Sequence, residues 1–373
     1  MSYNNFWKIM IYVFKVHLSL LYFYTISLII KHSMCELLAL SFNTPVNFTL
    51  SIKVFRRRGK ENPDGWGIAF YPDKAALVIK EPVKSVKSRL LDFLSRYERI
   101  RSKIFIAHVR RASRGKVAYK NTHPFLRELN GKEYVFAHNG TLNDIKRFKL
   151  GRFKPVGETD SEYAFCYLLA EIEKRGIDEW SLKDFEWLYG KLRELNKLGT
   201  LNCLLSDGEY LFAYHDVGGY NGLHYVWRVA PFPKIRLVDE DFEVDLQELK
   251  EPNERGYVVA SKPLTNEEWH SFTPGELIVF KDGMIVYRSS MPKLSSEELE
   301  VLRFIRRSPH RVSLKEIADS CSMPIGDVRK VVRELLSKGL IRQDSRDIVN
   351  WNHEKATFYT NPNMRNKIDQ TIQ

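Results

Sequence analysis

One cysteine and a set of polar motifs in the first half of the chain carry the residue types that nucleophilic catalysis needs. Cys35 follows Met34 directly, at the start of the segment MCELLALS. The motifs AHVRRASRG, AHNG and GETDSE come later, at residues 107–115, 137–140 and 157–162. A thiol becomes an effective nucleophile only when a base removes its proton, so Cys35 needs a partner that the fold must supply.

Two of these motifs also have a plain structural interpretation. Arg110 and Arg111 end a predicted strand and, taken alone, are typical of a solvated strand edge. Asn139 and Gly140 form the commonest tight-turn pair, which predicts a simple hairpin.

The motif GETDSE predicts the beginning of a helix. Thr159 and Glu162 have the spacing of a capping box, and Asp160 would complement the positive end of the helix. A structural role and a substrate-binding role for Asp160 are compatible, because capping uses its neighbours.

His108, His123 and His138 could be interpreted as metal ligands, but they lack the spacing of a ligand set. The four cysteines lie far apart and form no CxxC pair. This spacing excludes a disulfide framework and a zinc ribbon, and it fits a reducing compartment. We therefore predict no metal, no cofactor and a cytoplasmic location.

The composition is that of a globular protein with a moderate positive charge. Of the 373 residues, 44% are apolar and 28% are charged, which suits a sizeable core and suggests two domains. The net charge is +12, of which residues 1–34 contribute +3. Such a charge permits an anionic partner without requiring one.

An apolar run at residues 6–30 ends shortly before Cys35. Only 15 residues separate Lys15 from Lys31, whereas a membrane-spanning helix needs about 20 apolar residues. No A-x-A type of cleavage site precedes Cys35. Three interpretations stay open: a poor membrane anchor, a removable leader, or residues outside the natural protein because translation begins at Met34.

From Cys35 to about residue 290 the apolar pattern alternates between many strands and a few helices. The pairs Asp207-Gly208 and Asp282-Gly283 lie between apolar runs and predict hairpins. This pattern predicts an α+β fold of antiparallel sheets with helices outside, and it argues against a Rossmann chain. The strand patterns lie at 103–109, 133–138, 202–206, 210–215, 257–261, 276–280 and 284–288, and the helix patterns at 88–100, 161–175 and 182–198.

Residues 295–362 predict a small winged helix-turn-helix-like domain, and residues 363–373 a tail. Three helix patterns, the second capped by Ser313 with Glu316, precede two short strand patterns. The recognition helix would run from Asp327 to Lys338. Its candidate DNA contacts are Arg329, Lys330 and Arg333.

Together with NPDGWGIAF and NTHPF, the ordered motifs of residues 35–290 resemble the glutaminase domain of class II glutamine amidotransferases. These are N-terminal nucleophile hydrolases, and the motifs are most similar to the small stand-alone YafJ-like type. The resemblance implies a four-layer αββα domain of two stacked antiparallel sheets. It also implies glutamine or a γ-glutamyl amide as substrate. It covers neither the leader nor the winged helix.

The resemblance implies a role for each residue of the site. Cys35, with its own free α-amine as the base, would attack the carboxamide, release ammonia and leave a glutamyl thioester for water. The Asn139 side chain and the Gly140 N–H would stabilise the oxyanion. Arg110 would bind the substrate carboxylate, and Asp160 would bind its ammonium group.

His108, His123 and the turn formed by Asp64 and Gly65 would support this pocket. The larger relatives of this type carry a second domain that uses the ammonia, and nothing after residue 290 is large enough for that. The ammonia acceptor is therefore unspecified: the chain would act as a simple glutaminase or γ-glutamyl amidohydrolase, or would supply ammonia to a separate partner protein. A free α-amine at Cys35 also requires that residues 1–34 be a mis-assigned start or a removed propeptide, with no membrane attachment.

Two other functions stay open. The chain could be a glutamine-sensing, DNA-binding regulator that uses its first domain as a ligand receptor. It could also be a membrane-anchored protein that uses residues 6–30, although a retained anchor and a free amine at Cys35 exclude one another.

Overall fold

The computed structural model describes residues 34–238, 243–344 and 350–372. From Cys35 onward the chain forms one unit of packed elements. The assignment of the preceding residues to a leader lies outside the described residues. Within the described ranges, no helix combines the length and the apolar character needed to cross a membrane.

Many strands and fewer helices are distributed along this unit. The strands are β1 (Glu36–Asn47), β2 (Trp66–Phe70), β3 (Leu77–Glu81), β4 (Arg101–Val109), β5 (Phe125–Leu129), β6 (Lys132–Leu142), β7 (Gly199–Ser206), β8 (Leu211–Tyr214), β9 (His224–Val229), β10 (Lys234–Arg236), β11 (Glu243–Asp245), β12 (Arg255–Ala260), β13 (His270–Ser271), β14 (Leu277–Lys281), β15 (Met284–Arg288), β16 (Val312–Ser313), β17 (Ile341–Gln343) and β18 (Thr357–Thr360). The α-helices are α1 (Thr49–Arg58), α2 (Arg89–Leu94), α3 (Asp160–Arg175), α4 (Leu182–Asn196), α5 (Leu246–Leu249), α6 (Ser296–Arg307), α7 (Leu314–Ser320), α8 (Ile325–Ser337) and α9 (Arg365–Ile372). Short 3₁₀ helices occupy Ser85–Lys87, Tyr119–Asn121, Ile145–Arg147 and Pro362–Met364.

Two large antiparallel sheets dominate the first domain. The first has the strand order β13-β9-β12-β1-β4-β2-β3, and the second has the order β15-β14-β8-β7-β6-β5. In the first sheet, Leu38 of β1 lies opposite Ala107 of β4 on one side and Ala260 of β12 on the other. The predicted hairpins are confirmed, since the two Asp-Gly pairs join β7 to β8 and β14 to β15.

The two sheets stack face to face, and helices cover their outer faces. Leu37 and Ala39 of β1 share one buried cluster with Val135 and Ala137 of β6. Because side chains alternate along a strand, Leu38 points to the opposite face and belongs to the cluster that contains α1. The outer face of the second sheet packs on α3 and α4. The predicted four-layer αββα arrangement is confirmed.

The helix predictions are confirmed for α3 and α4, but α2 is shorter than the predicted helix at 88–100. It ends at Leu94, and residues 95–100 turn instead of continuing. The Ser95 hydroxyl donates to the carbonyl oxygen of Asp92 at 2.8 Å, and the chain must enter β4 at Arg101.

The capping box predicted for α3 forms only in part. The Thr159 hydroxyl accepts from the Glu162 N–H at 3.2 Å, as expected. The Glu162 carboxylate, however, accepts from the N–H groups of Val156 and Gly157, at 3.0 and 2.6 Å. The Glu162 carboxylate therefore fixes the loop before α3, in place of the backbone of the capping residue Thr159.

The second domain has the predicted helix-turn-helix character. Strand β16 lies between helices α6 and α7, and β17 and β18 follow α8. The three strands form one sheet with the order β16-β18-β17. Ser313 and Glu316 form the complete capping box at α7. The residues assigned to a tail form α9, where Ile368 is buried and Asp369 pairs with Arg306 at 2.6 Å.

The second domain packs directly on the first. Val332 and Leu335 of α8 belong to the same buried cluster as Tyr257 and Ile285 of the two sheets. The Tyr257 hydroxyl lies 3.0 Å from the carbonyl oxygen of Ser337, at the end of α8. The carboxyl end of α8 is thus fixed to the first domain, while its amino end points away into solvent.

Candidate active site

Cys35 lies at the junction between β1 and the end of β4. Glu36, the next residue, lies opposite Val109, the last residue of β4. This register brings the Cys35 side chain to the segment that follows β4. The Cys35 sulfur accepts from the Arg111 N–H at 3.0 Å and donates to the Arg111 carbonyl oxygen at 3.1 Å.

The carbonyl group of Cys35 is held by two asparagine side chains. Asn139, in β6, donates its side-chain amide to the Cys35 carbonyl oxygen. Asn221 donates to the same oxygen at 2.8 Å. The sequence reasoning missed Asn221, because it is a single asparagine in a glycine-rich loop that only the fold brings to Cys35.

The loop that carries Asn221 is itself fixed by a buried carboxylate. The Asp216 side chain accepts from the N–H groups of Leu201 and Gly218, both at 2.8 Å. Asn221 has a positive φ of 55°, a conformation that asparagine tolerates better than most residues. Hydrogen bonds therefore hold this loop in place beside Cys35.

Gly140 follows Asn139 inside β6, so this pair is not the hairpin turn that its sequence suggests. Gly140 has a φ of 150°, and a Cβ atom at this position would lie 2.1 Å from the Thr200 carbonyl oxygen. Only glycine fits at this position. Its N–H belongs to the residue directly after Asn139, whose side chain contacts Cys35.

Arg110 is buried and not part of a solvated edge. Only 3% of it is exposed, and its guanidinium donates to the carbonyl oxygens of Arg114 and Gly115, at 2.8 and 3.2 Å. Its backbone N–H donates to the Gly65 carbonyl oxygen at 2.7 Å, and its carbonyl oxygen accepts from the Asp64 N–H at 3.0 Å. The Asp64-Gly65 turn thus positions the end of β4 and the cation that follows it.

The Asp160 carboxylate joins the start of α3 to the end of β6. One oxygen accepts from the Leu142 N–H at 2.6 Å, and the other accepts from the Ser161 N–H at 3.0 Å. Asp160 therefore has a structural role at the start of α3. Each carboxylate oxygen has a second lone pair, so the group can still accept from an ammonium ion.

His108 and His123 form a buried pair of neutral rings. Their ring centroids lie 4.4 Å apart, and none of their ring nitrogens has a hydrogen-bond partner in the described structure. Burial lowers the pKa of His108 to about 3 and places the pKa of His123 well below its ordinary value. His108 lies opposite Leu37 of β1, so this pair is buried close to Cys35.

His138 is held separately, with Nδ1 at 2.9 Å from the Ser161 hydroxyl and Nε2 at 3.1 Å from the Thr200 carbonyl oxygen. Across residues 34–238, 243–344 and 350–372, no group of three or more His, Cys, Asp or Glu side chains is arranged to hold a metal ion.

The surroundings of Cys35 do not by themselves deprotonate its thiol. Burial raises the pKa of Cys35 to about 11, and the Arg111 N–H and the Arg110 charge only partly oppose this. In the described part of the chain, the hydrogen bonds of the Cys35 sulfur involve the backbone of Arg111 and no histidine. A base from elsewhere is needed for nucleophilic attack.

The candidate DNA-contacting residues lie in α8 of the second domain. Arg329, Lys330 and Arg333 are all exposed. Lys330 pairs with Asp327 at 2.9 Å, one turn earlier on the same helix.

Comparison with known proteins covers both domains. Residues 34–301 match the family model of class II glutamine amidotransferases, and residues 299–345 match the IclR helix-turn-helix domain. An uncharacterized protein of Methanocaldococcus jannaschii is 48% identical over 347 residues, which are 91% of this chain and 97% of that protein. The Escherichia coli protein YafJ, whose glutamine amidotransferase name is provisional, is 41% identical over 66% of this chain and 97% of its own length.

A solved structure supports the fold of the first domain. The crystal structure of a predicted glutamine amidotransferase from Pseudomonas aeruginosa covers 68% of this chain and all of its own, with 35% identity and a TM-score of 0.52. The two stacked antiparallel sheets agree with these matches. The chain belongs to the class II glutamine amidotransferases.

Proposed function

We propose that Cys35 is the nucleophile of a glutamine amidotransferase that hydrolyses the carboxamide of glutamine or of a γ-glutamyl compound. The observation that carries this proposal is the arrangement around Cys35. Its sulfur lies 3.0 Å from the Arg111 N–H, and two asparagine side chains hold its carbonyl group. Such fixed positioning suits a residue that must meet a substrate carbon in one orientation.

The base is the α-amine of Cys35 itself. Burial raises the thiol pKa, and no histidine contacts the sulfur in the described structure, so a cysteine–histidine pair finds no support here. A free α-amine has a pKa near 8 and is partly neutral at pH 7. The amine is free only when the bond between Met34 and Cys35 is absent, so the working enzyme begins at Cys35.

The transition state would be stabilised by Asn139 and Gly140. Attack on the carboxamide places a negative charge on its oxygen, and the Asn139 side-chain amide and the Gly140 N–H would donate to it. Collapse of this intermediate breaks the C–N bond, releases ammonia and leaves a glutamyl thioester on Cys35. Water then hydrolyses the thioester and regenerates the thiol.

Arg110 and Asp160 would bind the amino-acid end of the substrate. The Arg110 guanidinium would exchange its loop carbonyl partners for the substrate carboxylate, a better charge match. Asp160 would accept from the substrate ammonium while keeping its contact with Leu142. The released ammonia passes to water or to a separate acceptor protein.

The test is an ammonia-release assay with glutamine on a chain that begins at Cys35. We expect Cys35→Ala to abolish ammonia release, while Cys321→Ala, a cysteine change in the second domain, leaves it intact. A Cys35→Ala protein that still releases ammonia at the parent rate would refute the mechanism.

The second domain supports a further candidate function, binding of duplex DNA. Arg329, Lys330 and Arg333 are exposed on α8, within the region that matches the IclR helix-turn-helix domain. The contact between Lys330 and Asp327 reduces the free charge of this surface. Fluorescence anisotropy with duplex DNA at several salt concentrations tests it, because phosphate contacts weaken as salt rises. Salt-independent or absent binding would count against DNA as the partner.

A further inference from the structure

A cavity of about 250 Å³ lies at the seam between the two domains. Arg255 of β12 and Trp227 of β9 line it from the first domain. Arg342 of β17, Trp351 and Tyr359 line it from the second. The cavity is therefore built from both domains and is separate from the Cys35 site.

The two arginines of this cavity are mostly buried, and Asp282 is the acidic residue that acts on one of them, Arg255. The Nε atoms of Arg255 and Arg342 are inaccessible to solvent and have no hydrogen-bond partner in the described part of the chain. Within the described residues neither guanidinium forms an ion pair, and the neighbour that bonds to Arg342 is the neutral hydroxyl of Tyr359. Burial lowers the pKa of both arginines, which reports the cost of keeping these charges away from water.

The other charged residues of the cavity are already engaged elsewhere. Asp282 pairs with Lys103 at 2.7 Å, so its charge is shared with a cation outside the cavity. Lys281 contacts Glu209 and the Tyr210 hydroxyl, at 3.3 and 3.2 Å. Among the described lining residues, three cations thus face one carboxylate, so the positive charge is in excess.

We propose that this cavity binds a compact oxyanion, carrying a phosphate or carboxylate group, between the first domain and the winged-helix domain. Guanidinium groups match such anions in charge and in planar geometry. The volume lies just below the range of about 300–1,000 Å³ that is usual for drug-sized ligands, so the ligand is small. Because one arginine comes from each domain, the bound anion would also stabilise the packing of the second domain on the first.

The experiment uses the full chain and two probes, inorganic phosphate and malonate, each titrated at constant ionic strength. Calorimetry measures binding, and a change in total tryptophan emission, to which Trp227 and Trp351 contribute, gives a second readout. The variants are Arg255→Gln and Arg342→Gln. Arg99→Gln removes the same charge from an exposed position between α2 and β4 and serves as the matched control.

We expect saturable binding that is weakened about tenfold or more by either cavity variant and is unchanged by the control. Binding of phosphate alone, of malonate alone, or of both identifies the oxyanion that the site prefers. Thermal unfolding checks that the variants are folded, and Arg342→Lys, which keeps the charge, is a milder variant with an intermediate effect. Lack of saturable binding by the folded parent protein would overturn the proposal, and so would equal weakening by Arg99→Gln.

Discussion

Replacing Asn139 by alanine separates an oxyanion role from a merely structural one. In the structure the Asn139 amide and the Asn221 amide both hold the Cys35 carbonyl oxygen. After Asn139→Ala, Asn221 still donates at 2.8 Å, so the carbonyl group keeps a partner and Cys35 keeps its position. The cost to folding should therefore be only about 1 kcal/mol, the usual net value of one hydrogen bond.

The effect on catalysis should be much larger. Asn139 supplies one of two proposed donors to the oxyanion, and removal of one such donor costs about 3–4 kcal/mol of transition-state stabilisation. We expect kcat for ammonia release from glutamine to fall by about 10²–10³-fold, with a small change in KM. Because Asn221 holds only the carbonyl group of the nucleophile, Asn221→Ala should reduce kcat less.

Steady-state kinetics on the chain beginning at Cys35, together with urea unfolding of each variant, make this measurement. A kcat for Asn139→Ala within about threefold of the parent would refute the oxyanion role. An equal loss of kcat in both variants would mean that positioning of Cys35, and not oxyanion binding, explains the effect of Asn139.

Three other predictions follow from the site and from the packing of the domains. Arg110→Lys loses the planar guanidinium and should raise KM for glutamine by about tenfold or more. Arg111→Lys should leave KM unchanged, because Arg111 contacts the thiol through its backbone. Equal KM values for the two variants would contradict the binding of the substrate carboxylate by Arg110. Lowering the pH from about 7 to about 5 should destabilise the fold by about 2 kcal/mol through His108, because the unfolded histidine binds a proton near pH 6.5 while burial lowers its folded pKa to about 3. Urea midpoints at the two pH values measure this, and an equally steep pH dependence in His108→Phe would show that His108 is not responsible. Tyr257→Phe removes the hydroxyl that bonds to the end of α8 and should lower the free energy of unfolding by about 1 kcal/mol. Tyr97 is exposed, so Tyr97→Phe is the control, and an equal free energy of unfolding for the two variants would contradict a stabilising Tyr257 contact.

The sequence predicted the elements whose signals are local. Alternating apolar residues indicated β4, β6 and β7, and Asp207-Gly208 indicated the turn that follows β7. The helices α3 and α4 were predicted from their three-to-four spacing and agree within two residues at their ends. These signals depend on neighbours in the chain, so no long-range contact was needed to interpret them.

Features that depend on contacts between distant parts of the chain could not be predicted from the sequence. The Asn139-Gly140 pair has the local signature of a turn, but pairing with Asn202 and Leu201 of β7 keeps it in an extended strand. Asn221 has no motif of its own and reaches Cys35 only because Asp216 fixes its loop. The firm packing of the second domain on the first was also missed, since a capped amphipathic helix does not reveal which surface it covers.

The central claim, that Cys35 acts through its own free α-amine, is tested most directly by the N-terminus of the protein isolated from its natural source. Intact-mass analysis and N-terminal sequencing should give a chain that begins at Cys35 with an unblocked amine, and the same preparation should release ammonia from glutamine. An active preparation that retains residues 1–34 would contradict the account, because Cys35 would then carry a peptide bond in place of its base.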